Sequence, residues 1–221
     1  MAKLLDRLSA RAALVEVARE FHRRGWMVGT SGNLSARPPR TPLPEAPFFW
    51  VSASGLPKGA LEESDFLAVD LATGKVDTDA AGVPALRPSA ETAIHRVIYQ
   101  LFPETRACFH FHTVASCVAS DAAEGRAMLP LPSLEMIKGL DVPEDRHPVT
   151  LPLFDNHPHV PDIAQDIATA FRHKAPAVPA LLIRHHGVTV WGPTIQQTYN
   201  RAEIVEFICQ YLAAYPSGPR R

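Results

Sequence analysis

The chain has 221 residues, is 46% hydrophobic and carries a formal net charge of -1. That length fits one domain over residues 1–221 with a single sizeable core, and the near-zero charge excludes a global field for nucleic acid or an anionic membrane. No apolar run reaches the ~18 residues of a membrane span, and three cysteines without a CxxC (Cys108, Cys117, Cys209) argue for reduced thiols in the cytoplasm rather than a disulfide framework or a structural zinc knot.

At the N-terminus, Leu4, Leu5, Leu8, Ala12, Val15 and Phe21 recur at helical spacing, which predicts an amphipathic first helix stopped by Gly25. Asp6, Glu16 and Glu20 argue against a transit peptide there. A loop, "GTSGNLSAR", follows, and the five prolines of residues 37–47 predict an exposed connection. "FFWVSAS" is β-prone, and "FLAVDLATGKV" reads as strand, turn and strand. Residues 89–102 read as a helix with Ser89 as a possible N-cap. "RACFHFH" reads as a strand, "TVASCVAS" as a helix, and 129–155 as short strands with a turn-rich stretch. A helix over 161–173 has Pro161 near its start, and "ALLIRHHGVTVWG" suggests two strand pieces around Gly187. A long helix ("TIQQTYNRAEIVEFICQYLAAY") and a frayed tail ("PSGPRR") close the chain. Strands and helices alternate irregularly, which points to a sheet covered by helices. Strand order does not follow from this pattern.

The chemistry concentrates in "ACFHFHTVAS". On a strand, His110 and His112 share one face and Phe111 turns to the other. Two neutral imidazoles on one face suit a divalent transition metal, and a catalytic site needs a third protein ligand from elsewhere. "RHHGV" offers His185 and His186. A second HxH, His157 and His159, is interrupted by Pro158 and flanked by polar residues, which places it in a surface loop. His22, His95, His147 and His173 stand alone and are expected to be solvated or hydrogen-bonded.

Three segments could cradle an anion. "GTSGNLS" carries Thr30, Ser31, Gly32 and Asn33; "VSASGLPKG" carries Ser54, Gly55 and Lys58; "RPSAET" puts Ser89 at a helix N-terminus. Neither GxxxxGK[ST] nor a strand followed by GxGxxG occurs, so a phosphorylated small molecule fits better than a nucleotide.

Taken in order, "GTSGNLSAR", "VSASGLPKGAL", "FLAVDLATGKV", "RPSAETAIH", "HFHTVAS", "LLIRHHGVTVWG" and the final helix resemble the class II aldolase/adducin-type family of zinc enzymes acting on sugar phosphates. The resemblance covers nearly the whole chain. Within it, "FHRRGWMVGTSGNLSAR", the lysine of "SGLPKG", "LEMIKGL" and "LPLFDN" are similar to the dehydratase branch that serves methionine salvage. Ala90 stands where aldolases commonly have a second serine, and Phe111 replaces the usual threonine between the two histidines.

The resemblance implies an α/β fold in three α/β/α layers around a central, largely antiparallel sheet. It implies a homotetramer with active sites at subunit interfaces, a phosphorylated ketose substrate, and one zinc ion per subunit on His110, His112 and His186. His185 should then face away by strand alternation. Glu135 matches the acid/base position of the dehydratase and Glu91 that of the aldolases, so Glu135 is the favoured catalytic residue and Glu91 a metal neighbour or substrate contact. Lys138 would steer substrate or tune Glu135. The alternatives are a class II sugar-phosphate aldolase, a 4-epimerase and a non-catalytic interaction domain.

Overall fold

The computed structural model describes residues 5, 7–38, 47–76, 86–123, 125–142 and 148–215. Helix α1 is Ala10–Arg23. It starts later than the apolar spacing suggested, because Ser9 Oγ accepts from Ala12 N at 3.1 Å and so caps the helix there. Its inward face is Ala13, Leu14, Val17, Ala18 and Phe21. Gly25, at φ 74, reverses the chain behind it, a conformation that glycine adopts without steric cost.

The stretch expected to be a loop contains a strand, β1 (Asn33–Ala36). It is buried throughout and pairs on both sides, so no alternation of apolar and polar residues marks it. Strands β2 (Phe48–Ser52) and β3 (Phe66–Asp70) follow. The second half of "FLAVDLATGKV" is not a full strand: Asp70 Oδ1 accepts from Thr73 N at 2.6 Å, and Val76 makes only an isolated bridge to Val69. Of the proline-rich connection, residues 39–46 lie outside the described ones, as do His147 and the tail from 216.

Helix α2 is Thr92–Leu101, and its N-cap position is Glu91 rather than Ser89. Ser89 lies in the turn before it, with its carbonyl accepting from Thr92 N at 3.0 Å. Strand β4 (Ala107–Phe111) leads into α3 (Val114–Asp121), capped by a reciprocal Thr113–Ser116 pair. Then come β5 (Met128–Pro130), a 3₁₀ turn (Glu135–Leu140), β6 (Thr150–Phe154) and α4 (Val160–His173). Strands β7 (Ala180–Ile183) and β8 (Gly187–Gly192) and helix α5 (Ile195–Ala214) complete the chain.

The strands form one eight-stranded sheet in the order β3-β2-β1-β4-β8-β7-β6-β5. Every named pairing is antiparallel except β6 with β7. Phe109 and Phe111 project from β4 into one core, against Phe21, Trp26 and Tyr199 from the α1 and α5 layer. Cys108 projects the other way, into a second core with Ile94, Ile98 and Tyr99 of α2 and Ile163 and Ile167 of α4. Two cores on two faces make the expected three-layer α/β/α arrangement. Among the described residues, no helix is long and apolar enough to cross a membrane.

Candidate metal centre

Strand β4 lies in the middle of the sheet, between β1 and β8, and its C-terminal end carries the site. His110 is fully buried and sits opposite Thr189 of β8. Its Nδ1 lies 2.9 Å from Thr189 Oγ1, which fixes the ring and leaves Nε2 pointing into the site. His112 follows just past the strand, with its Nε2 2.8 Å from His110 Nε2. Phe111 between them stacks on Trp26 with ring centroids 5.3 Å apart, so the replaced residue packs behind the strand as expected.

His186 comes from the β7–β8 turn. Its ring centroid is 5.0 Å from that of His110 and 4.7 Å from that of His112, edge-on to both. Gly187 allows this approach: a Cβ there would lie 2.4 Å from Phe111 O and 2.8 Å from His112 Cδ2. Glu91, at the start of α2, closes the group, with Oε1 2.9 Å from His186 Nε2 and 3.7 Å from His110 Nε2. Each of the four residues offers one ligand atom, and these atoms all lie within 4.8 Å of one another.

Three imidazoles and one carboxylate aimed at a common point fit a borderline divalent cation. The Thr189 contact to the far nitrogen of His110 is the outer support such a ligand needs. Burial pushes His110 well below the ordinary histidine range and His112 down to about 4, in the direction that favours the ligating form of the ring. Burial alone would raise Glu91, but the surrounding imidazoles, His110 foremost, hold it well below the usual carboxylate range.

The three segments that could cradle an anion converge beside this group. Lys58 N donates to Gly29 O at 3.0 Å, Ser54 N donates to Arg87 O at 2.8 Å, and Ala53 bridges Pro88. Asn33 Nδ2 donates to Ser89 Oγ at 3.2 Å and to Glu91 Oε2. Gly32 is tightly placed: a Cβ there would meet His110 O at 2.9 Å. Thr30, Ser54 and Gly55 are exposed, and Ser31 Oγ donates to Val28 O at 2.7 Å. Lys58 lies underneath instead, buried, with Nζ donating to Ala53 O at 3.0 Å. Desolvation lowers its pKa, opposed by Glu91 and Asp65.

Glu135 and Lys138 lie apart from the four-residue group within the chain. They pair with each other at 2.8 Å on the 3₁₀ turn, with the Glu135 side chain 82% exposed. His185 does face away, but not by strand alternation: it occupies a turn at φ 51 and pairs with Asp121 at 2.5 Å. His157 and His159 are surface residues paired with Asp166 and Asp162. His95 is buried, with Nδ1 2.6 Å from Ser35 Oγ, which in turn lies 2.8 Å from Tyr99 OH. Sequence reasoning missed Thr189. Its signal is a lone hydroxyl inside the apolar strand "GVTVWG".

Residues 12–213 match the pattern of the class II aldolase and adducin N-terminal domain. The chain is 48% identical over 210 residues to a methylthioribulose-1-phosphate dehydratase of Microcystis aeruginosa, covering 95% of this chain and 98% of that one. It is 38% identical over 221 residues to a protein of the same name from Leptospira interrogans, covering 97% and 84%. Its fold is similar to the crystal structure of YgbL, a putative aldolase/epimerase/decarboxylase from Escherichia coli, with a TM-score of 0.74 at 24% identity over 96% of this chain and 91% of that one.

Proposed function

The chain belongs to the class II aldolase and adducin N-terminal domain family, and from that premise we propose that it is a methylthioribulose-1-phosphate dehydratase of methionine salvage. The convergence of four ligand atoms carries the reading, and the likeness to the dehydratases supplies the substrate. His110, His112 and His186, with Glu91 beside them, would hold a zinc ion, which supplies a Lewis acid for the ketose oxygens when bound.

The substrate has a ketone at C2 and hydroxyls at C3 and C4. Glu135 takes the C3 proton, whose acidity comes from the adjacent carbonyl. The electron pair of the broken C3–H bond forms a C3–C4 double bond as the C4–O bond breaks. The same carboxyl returns its proton to the departing hydroxyl, which leaves as water. The resulting C3 enol takes a proton at C4 and becomes the 2,3-diketone.

The engagement of the Glu91 carboxylate supports Glu135 over Glu91 for this transfer. Both oxygens of Glu91 are engaged within the chain, Oε1 by His186 and Oε2 by Asn33 and Ser89. Glu135 is exposed, and its Lys138 partner rides on a flexible stem that can also steer an anionic substrate. Thr30, Ser31, Gly32, Asn33, Ser54, Gly55 and Ser89 form the phosphate cradle, with Lys58 bracing it from below. The protein works in the cytoplasm as a homotetramer with active sites at subunit interfaces.

A second reading, sugar-phosphate aldolase, draws on the position of Glu91 inside the histidine cluster. Incubating zinc-loaded protein with methylthioribulose 1-phosphate separates the two. The proposal expects the diketone phosphate with its five-carbon chain intact; dihydroxyacetone phosphate and (methylthio)acetaldehyde would overturn it.

A further inference from the structure

The third histidine of the cluster comes from a turn, and the backbone of that turn is not one the sequence adopts without help. His185 has φ 51, in the left-handed region that disfavours any residue with a Cβ. Reversing the chain there sends the His185 side chain to the surface and the next residue, His186, into the cluster.

What holds it is the C-terminal end of α3. Ser120 is fully buried, and its Oγ accepts from His185 N at 3.2 Å while donating to Cys117 O at 2.7 Å. Asp121 Oδ1 meets His185 Nε2 at 2.5 Å. Arg184, the first residue of the turn, donates to Ser120 O and to Arg126 O, each at 3.2 Å, and to Asp155 Oδ1 at 3.2 Å. The other end of α3 begins at Thr113, the residue directly after His112, and Thr113 Oγ1 is anchored to Glu206 Oε2 of α5 at 2.8 Å. One short helix therefore runs from beside one metal-ligand candidate to the turn that carries another.

We propose that Ser120 and Asp121 are positioning residues of the metal centre: α3 is a strut that sets His186 against His112 by holding His185 in its left-handed conformation. This rests on reading the four-residue group as a metal site. The Asp121–His185 pair is largely exposed, with side chains 66% and 61% accessible, so its direct contribution is small. The buried Ser120 bond carries more of the effect, because removing it leaves a turn amide without its acceptor.

The test is zinc affinity, read by competition with a chromophoric chelator, alongside melting of the metal-free protein. Ser120→Ala with Asp121→Ala should weaken zinc binding about 10- to 100-fold, the range for outer supports of metal ligands. Asp121→Asn, which keeps an acceptor oxygen, should stay near the wild-type affinity. In the Ser120→Ala background, His185→Gly should bind zinc more tightly than His185→Ala, because glycine enters the left-handed region without penalty. A purely structural role would lower the metal-free melting temperature and leave the dissociation constant alone. Wild-type zinc affinity in the double alanine variant, or equal affinity with glycine and alanine at 185, would overturn the strut. Zinc binding without dehydratase activity would remove the proposed substrate and leave this inference standing. A wild type that binds no zinc would remove both it and the metal reading.

Discussion

His112 differs from its neighbour His110 in being bound to the chain by fewer contacts. His110 is fixed by Thr189 and the ladder to β8, whereas His112 lies just beyond the strand with its backbone N donating to Trp26 O at 3.0 Å. His112→Ala should therefore leave the fold intact and abolish both stoichiometric zinc and turnover; elemental analysis showing full zinc would refute the ligand assignment. Glu135→Gln should keep zinc and lower turnover by about 10²–10⁴-fold, the usual share of a general acid/base. Unchanged turnover would return the role to Glu91. At this scale the sequence was informative about the histidines, since HxH on a strand dictates a shared face. It offered Lys58 as an anion contact, whereas the folded chain buries the Lys58 ammonium on a backbone carbonyl. It was silent on Ser120 and Asp121, because a serine and an aspartate at a helix end are common without any distant partner.

Helix α1 shows how an element's boundary is decided by one hydroxyl. Apolar spacing continued the helix back to Leu4, yet the Ser9 cap sets its start. Strand β1 shows the reverse: "NLSA" lies in the middle of the sheet, and its polar residues are buried because their partners come from other elements, Ser89 and Glu91 for Asn33 and His95 for Ser35. No local pattern announces a strand of that kind. The last turn of α1 also carries a testable charge cluster. Glu20 accepts from Arg23 at 2.7 and 2.8 Å and from Arg24 at 2.6 Å. The Arg23 hydrogen bond leads the causes that hold its pKa at about 2, against 4.5 for an unperturbed glutamate. A lowered folded-state pKa stabilises the fold above pH 4.5 and loses that effect as pH falls toward 2. The melting temperature of Glu20→Gln should thus lie below wild type at pH 7, with the gap narrowing below pH 4.5 and closing near pH 2. A gap that stays constant across that range would contradict the cluster's role.

Across the whole molecule, two aromatic-rich cores cover the two faces of the sheet, in whose middle β4 and β8 pair at the site. Phe111 is the joint between core and centre: it is fully buried, and it packs on Phe21 and Trp26 while its flanking histidines face the candidate metal centre. Phe111→Ala should cost about 3–5 kcal/mol of stability, measured by denaturant unfolding, and loosen zinc binding as well. A loss under about 1 kcal/mol would mean that the core collapses around the gap. The alternation of helices and strands marked a sheet covered by helices, and the resemblance to the class II aldolase family supplied its three layers. The strand order was not, since it depends on which edges pair across long separations, and those choices leave no trace in any single segment.

The central claim is that three imidazoles surround one ion, and X-ray absorption at the zinc edge of the loaded protein tests it most directly. The account predicts three histidine nitrogens at about 2.0–2.1 Å with oxygen in the remaining position. Fewer than two imidazoles, or sulfur at about 2.3 Å from a cysteine, would contradict it.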